Sequence, residues 1–171
     1  MITDKIKFKP GFAREDAPTY SYAEVEAKGL TAARLWRNLC NISVWPRLNP
    51  TIVDIQPLDT SDNDPHLFDK MQFYYDLADG KRVMAQVIFY RSPKDDRPGR
   101  LAYLGTILDG DKEIDRIVME FVVGVPDTDS AVAVQAALSA TGATPSAPVR
   151  ALGDTLAPTL THLIHWAERH T

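Results

Sequence analysis

Apolar and polar positions alternate over most of this chain, and the period changes only near its end. Over residues 20–27, Ala23, Val25 and Ala27 fall on one face and Tyr22, Glu24 and Glu26 on the other. That two-residue period predicts a half-buried strand. Gly29 ends it, and Thr31 is placed to cap a helix from Ala32 to about Cys40. There Leu35, Trp36, Leu39 and Cys40 form an i, i+1, i+4, i+5 apolar stripe. Residues 42–48 read as a second helical segment, which Asn49-Pro50 stops. Strands are then predicted at 51–58, 68–77, 83–90, 100–108, 114–123 and 130–139, with a solvated loop at 59–65. Short turns join most of them, so the sheet of about seven strands should be antiparallel.

The Asp79-Gly80 turn illustrates how register decides a core. A two-residue loop would place Val83, Ala85, Val87 and Phe89 on the face opposite Met71, Phe73, Tyr75 and Leu77. A three-residue loop, 78–80 with Gly80 left-handed, pairs 77 with 81 and puts all eight on one face. The second is the prediction. A further hairpin turns at Asp109-Gly110-Asp111-Lys112. Beyond it, Ile117, Met119, Phe121 and Val123 alternate with Arg116 and Glu120. Near the C-terminus the period becomes helical. At about 100° per residue, Val149, Leu152, Leu156, Leu160, Leu163, Ile164 and Ala167 gather on one face. This predicts one amphipathic helix of roughly twenty residues, led in by residues 144–148, with Pro158 on its solvent side.

Composition narrows the function classes. Nineteen Lys plus Arg against twenty-three Asp plus Glu leave a net charge of −4, without a basic stripe, which argues against nucleic acid. The single cysteine, Cys40, excludes a disulfide framework and paired-thiolate zinc sites, and its place on the helical stripe predicts inert packing. The first residues lack the apolar run of a signal peptide, and no apolar stretch is long enough to insert in a membrane, so a cytoplasmic location is expected. Residues 1–18, with Pro10, Gly11 and Pro18, read as an N-terminal arm, and 19–171 as a single domain. His162 and His165 stand at i, i+3, and a metal would need a third ligand such as His66 or a carboxylate. Both fall on the polar face, so no metal is expected. The 109–113 and 59–64 acidic turns lack the calcium-loop pattern. Arg116 and Glu120 form either an outward ion pair or a buried pocket dyad, and the register favours the outward pair. No phosphate loop or nucleophile elbow is present, and no cofactor is implied.

The segment Ala33-Arg-Leu-Trp36-Arg-Asn-Leu39, followed by Val44-Trp-Pro46-Arg-Leu-Asn-Pro50, bears an aromatic helix and a tryptophan-proline lead into the second strand. Together with Pro98-Gly-Arg-Leu-Ala-Tyr103-Leu-Gly105 and the order of elements, it resembles the START-like (SRPBCC) superfamily over residues 19–169. That superfamily includes pollen allergens, lipid-transfer domains and polyketide cyclase/dehydrase-like proteins. The resemblance implies an α+β helix-grip fold: a seven-stranded curved antiparallel sheet wrapped around a long C-terminal helix, with two short helices after strand 1.

A helix laid across a curved sheet leaves a hollow. A dry void of roughly 300 Å³ would cost on the order of 7 kcal/mol, at about 24 cal/mol per Å³. The hollow should therefore be ligand-filled, hydrated or largely collapsed. Expected lining residues are Phe73, Tyr75, Phe89, Tyr103, Met119 and Phe121, closed by Leu160, Leu163 and Trp166. Trp45 is either a ligand contact or a plug beneath the helix pair. Tyr75 and Tyr103 either orient a ligand or are core tyrosines. Such a pocket suits a small hydrophobic or lipid-like molecule. The first functional expectation is thus a binding protein. The alternative is a polyketide cyclase/dehydratase-like enzyme in which pocket Tyr and His side chains move protons. A third is an interaction module with a vestigial cavity.

Overall fold

The alternating middle of the chain builds one sheet, and the helical segments at its two ends close over a single face of it. A computed structural model describes residues 19–58, 65–94, 97–124, 131–141 and 146–170. The arm expected at 1–18, the acidic loop at 59–64, Ser130 and residues 144–145 of the helix lead-in lie outside the described residues. The elements run β1 (Thr19–Ala27), α1 (Ala32–Leu39), a 3-10 turn (Ile42–Val44), α2 (Trp45–Leu48), β2 (Ile52–Pro57), β3 (Gln72–Leu77) and β4 (Arg82–Arg91). They continue with β5 (Gly99–Asp109), β6 (Lys112–Gly124), β7 (Val132–Ala140), α3 (Ala147–Asp154) and α4 (Leu156–Arg169). Strand order in the curved sheet is β1-β7-β6-β5-β4-β3-β2, with every pairing antiparallel.

Local chemistry fixes the element ends. Thr31 caps α1, its hydroxyl oxygen accepting from the Arg34 amide at 3.1 Å. The β3–β4 turn is the three-residue form: the Leu77 amide donates to the Lys81 carbonyl at 2.8 Å, and Tyr75 faces Val83. Gly80 sits there at φ +90°, a conformation that glycine adopts without steric cost. Met71, Phe73, Tyr75, Leu77, Val83, Ala85 and Val87 accordingly all enter the core.

Phe89, expected to join them, does not. Val87 faces Tyr103 but Phe89 faces Ala102, so Ile88 is an inserted residue that reverses the alternation. Phe89 is 43% exposed as a result. Tyr90 takes the inward position instead, where its hydroxyl accepts from Trp36 Nε1 at 3.4 Å.

The C-terminal helix is two helices. The predicted apolar face is correct residue for residue, with Val149, Leu152, Leu156, Leu160, Leu163, Ile164 and Ala167 all buried. The axis nevertheless breaks at Thr155 (φ −96°, ψ 3°). Pro158 supplies no amide for the Asp154 carbonyl, and its ring crowds that same carbonyl, so the last turn of α3 cannot run on into α4. The Thr155 hydroxyl lies within 2.9 Å of the Ala151 carbonyl and accepts from Asn49 Nδ2 at 3.0 Å, tying the break to the end of α2.

The outward face of the central strands also departs from expectation. Glu120 pairs with Arg100 (Nη1 to Oε1, 3.0 Å) and is only 3% exposed, while Arg116 pairs with Glu113 at 2.6 Å. The expected Arg116–Glu120 pair is therefore absent. Glu120 faces Ala102 across the ladder, which brings it beside Arg100 of the same strand.

Candidate functional site: a pocket beneath the C-terminal helices

The site begins with one tryptophan. Trp45 opens α2, and its indole N–H donates to the Leu39 carbonyl at the end of α1, 2.8 Å away. That bond swings the ring down into the concave side of the sheet. There it meets Phe73 (5.8 Å between centroids), Tyr75 (6.5 Å), Tyr103 (5.9 Å) and Phe121 (6.2 Å), mostly tilted or edge-on. Such geometries are favoured between aromatic quadrupoles. Trp45 is thus a plug, and the same ring forms a wall of the space that remains.

That space is a cavity bounded by Trp45, Leu48, Asn49 and Ile52 on one side, and by Tyr103, Met119 and Phe121 of the sheet. Leu152, Leu156, Thr159, Leu160 and Leu163 of α3 and α4 form its roof. Its volume is about 30 Å³. At about 10–15 Å³ per water, it holds about two. The hollow is therefore largely collapsed around the aromatic cluster. At about 24 cal/mol per Å³, leaving 30 Å³ empty costs only about 0.7 kcal/mol.

Among the residues expected to line it, Trp45, Tyr103, Met119, Phe121, Leu160 and Leu163 do so. Phe73 and Tyr75 are fully buried on the same face but lie behind Trp45 and Tyr103. Phe89 is outside because of the Ile88 bulge. Trp166 sits at the flank, about 100° around the helix from the centre of the buried stripe. It stacks on His170 at 3.7 Å, with the Arg47 guanidinium 5.7 Å from its ring. Leu39, Leu152 and Leu156 are legible in the sequence as stripe residues, and only the tertiary packing brings them to the pocket. Asn49 and Thr159 carried no signal, since one read as a helix stop and the other as a polar helix position.

The walls are apolar apart from a few groups. The Tyr75 and Tyr103 hydroxyls are 2.8 Å apart and enclosed. Burial raises the pKa of both well above the ordinary phenol value. At Tyr75 the neighbouring Tyr103 adds to the rise, whereas at Tyr103 the bond from Tyr75 partly offsets it. Both remain protonated donors at any physiological pH. Asn49 is engaged at both ends of its amide, its Oδ1 accepting from the Thr51 amide at 2.9 Å and its Nδ2 donating to the Thr155 hydroxyl. The Thr159 hydroxyl is buried and has no hydrogen-bond partner among the described residues. His162 points away from the pocket, its Nδ1 donating to the Leu48 carbonyl at 2.8 Å, and His165 is exposed. Among the described residues no three His, Cys, Asp or Glu side chains group as metal ligands. Nor is any helix there long and apolar enough to cross a membrane.

A curved seven-stranded sheet, two short helices after its first strand and a C-terminal helical arm lying in its hollow define the START-like helix-grip fold, and this chain has it. Solved structures similar to it include one named for that superfamily. A START superfamily protein from Mycobacterium smegmatis superposes with a TM-score of 0.58 at 18% identity, over 89% of this chain and 99% of that one. DynU16, from the dynemicin biosynthetic locus, gives 0.59 at 11% identity, over 87% of this chain and 47% of its own. The hypothetical protein jhp0584 of Helicobacter pylori gives 0.81 at 21% identity over 98% of both chains. No protein-family model and no curated protein matches the sequence.

Proposed function

We propose that this protein binds a small, largely apolar molecule in the pocket between the sheet and α3–α4. The observation that carries this reading is the pocket itself: an apolar space between helix and sheet, with few polar groups on its walls. In the closed state it has room for about two waters, so an organic ligand enters only by displacing the roof. We place the point where the roof would give way at Thr155, between Leu152 and Leu156, where the helix axis is broken. The test is a thermal-shift screen of small hydrophobic compounds against the wild type and Leu160→Phe, which fills the space. A ligand at a hundred times its Kd stabilises by about 2.7 kcal/mol. For a chain of this length that corresponds to a rise in Tm of roughly 5–11 °C, and Leu160→Phe should blunt it. A screen in which nothing stabilises the wild type defeats the reading.

One observation favours a second reading, a polyketide cyclase/dehydratase-like enzyme: Tyr103 lines the pocket and its hydroxyl is bonded to that of Tyr75 behind it. Raised pKa values make them donors rather than bases, and neither His162 nor His165 reaches the pocket, so the histidine part of that mechanism has no counterpart. Turnover of a poly-β-ketone substrate by the wild type and its loss in Tyr103→Phe, with binding retained, would select this reading over simple binding.

A further inference from the structure

The tyrosine pair holds one more proton than its own bonding uses. Each phenol has a single O–H donor, and only one of the two can lie along the 2.8 Å Tyr75–Tyr103 contact. Both side chains are enclosed, with Tyr75 0% and Tyr103 2% exposed, so bulk water does not take the other. The contact between them is the one hydrogen bond either hydroxyl makes among the described residues. A buried donor needs an acceptor, which is either one of the about two waters the pocket can hold or a group on the ligand that displaces it. Tyr103 is on the cavity wall and Tyr75 is not, so the pocket is the side on which the uncommitted proton can find an acceptor when Tyr75 donates to Tyr103. Across the pocket, the Thr159 hydroxyl is also buried and unpartnered among the described residues.

We infer that the occupant of this pocket is not a plain hydrocarbon but carries an oxygen acceptor of the ketone or aldehyde class, which takes the free O–H of Tyr103. This rests on the pocket being a binding site and adds the chemistry of what it selects. In the complex the ligand carbonyl accepts from Tyr103, Tyr103 accepts from Tyr75, and the rest of the molecule meets leucine, methionine and aromatic walls.

The probes are cyclopentanone and methylenecyclopentane, alike in size and shape except that a C=CH₂ group replaces the C=O. Dissociation constants are measured by NMR titration for the wild type, Tyr103→Phe and Tyr75→Phe. Because the two probes differ in hydrophobicity, the quantity read is the change in their affinity ratio between proteins. Removing the Tyr103 hydroxyl should shift that ratio against the ketone by about 2- to 10-fold, the range of a net hydrogen bond. Tyr75→Phe should leave most of the ketone preference, since Tyr103 still donates. An independent readout on the wild type needs no variant: the ¹³C resonance of carbonyl-labelled cyclopentanone should move downfield on binding and less so in Tyr103→Phe. An unchanged ratio in Tyr103→Phe, or a bound carbonyl with the shift of an apolar environment, overturns the acceptor proposal while leaving the binding site intact. If neither probe binds, the pocket reading fails and this inference falls with it.

Discussion

Truncating Leu160 tests whether α4 seals the hollow as described. Leu160 is 1% exposed and forms part of the cavity roof. Leu160→Ala removes three buried carbons, worth about 2.4 kcal/mol of transfer free energy at about 0.8 kcal/mol each. The new void joins the existing space of about 30 Å³, whose walls include the rigid rings of Trp45 and Tyr103, so little of it can collapse. The cavity contribution brings the expected loss to about 3–4 kcal/mol, inside the roughly 2.7–5.0 range of buried leucine truncations. At about 2–4 °C per kcal/mol, Tm should fall by roughly 6–16 °C. The same variant should gain affinity for a small arene, with toluene at saturation returning part of the loss. Urea unfolding with and without toluene reads both effects. A loss below about 1 kcal/mol, or a full loss that toluene does not relieve, would show that Leu160 is not the roof of a pocket.

Three further outcomes follow from other parts of the fold. Tyr75 and Tyr103 have folded pKa values above their unfolded value of 10.0, so the unfolded chain loses those protons first. Their contribution is present in full below pH 10.0 and is lost as pH rises beyond it; Tm measured from pH 8 to 11 should fall less steeply in the Tyr75→Phe/Tyr103→Phe double variant, and an equally steep fall would contradict this. Burial pushes the Cys40 thiol up to about 12, so at pH 8 it should resist thiol reagents in the folded protein and react at once in denaturant; rapid modification without unfolding would place it elsewhere. A Cβ on Gly124 would stand 2.5 Å from Cβ and 3.1 Å from Cα of Pro98, so Gly124→Ala should cost about 1–3 kcal/mol in urea unfolding, and a neutral result would refute the close strand–loop contact.

What could be read from the sequence was what periodicity encodes. The strand faces, the three-residue turn at Gly80 and every buried residue of the C-terminal stripe follow from period and turn chemistry alone. Phe89 could not be placed, because one inserted residue at Ile88 reverses a face and leaves no compositional mark. The break at Thr155 has a visible cause in Pro158, but proline fixes the loss of one bond rather than the angle that packing then selects. Asn49 and Thr159 reach the pocket through tertiary contacts that no local pattern announces. The volume of the hollow is the clearest instance. Five aromatic side chains can line a large cavity or fill it, and the Trp45–Leu39 hydrogen bond, which drops the indole onto the sheet, decides for filling.

The most direct measurement is methyl-resolved NMR of the protein with excess cyclopentanone, recording intermolecular NOEs. Binding beneath the helices predicts NOEs from the probe to the methyl groups of Met119, Leu156, Leu160 and Leu163, all lost in Leu160→Phe. NOEs confined to methyl groups of exposed residues such as Val53 and Leu58, or none at saturating probe, would contradict a ligand site in this hollow.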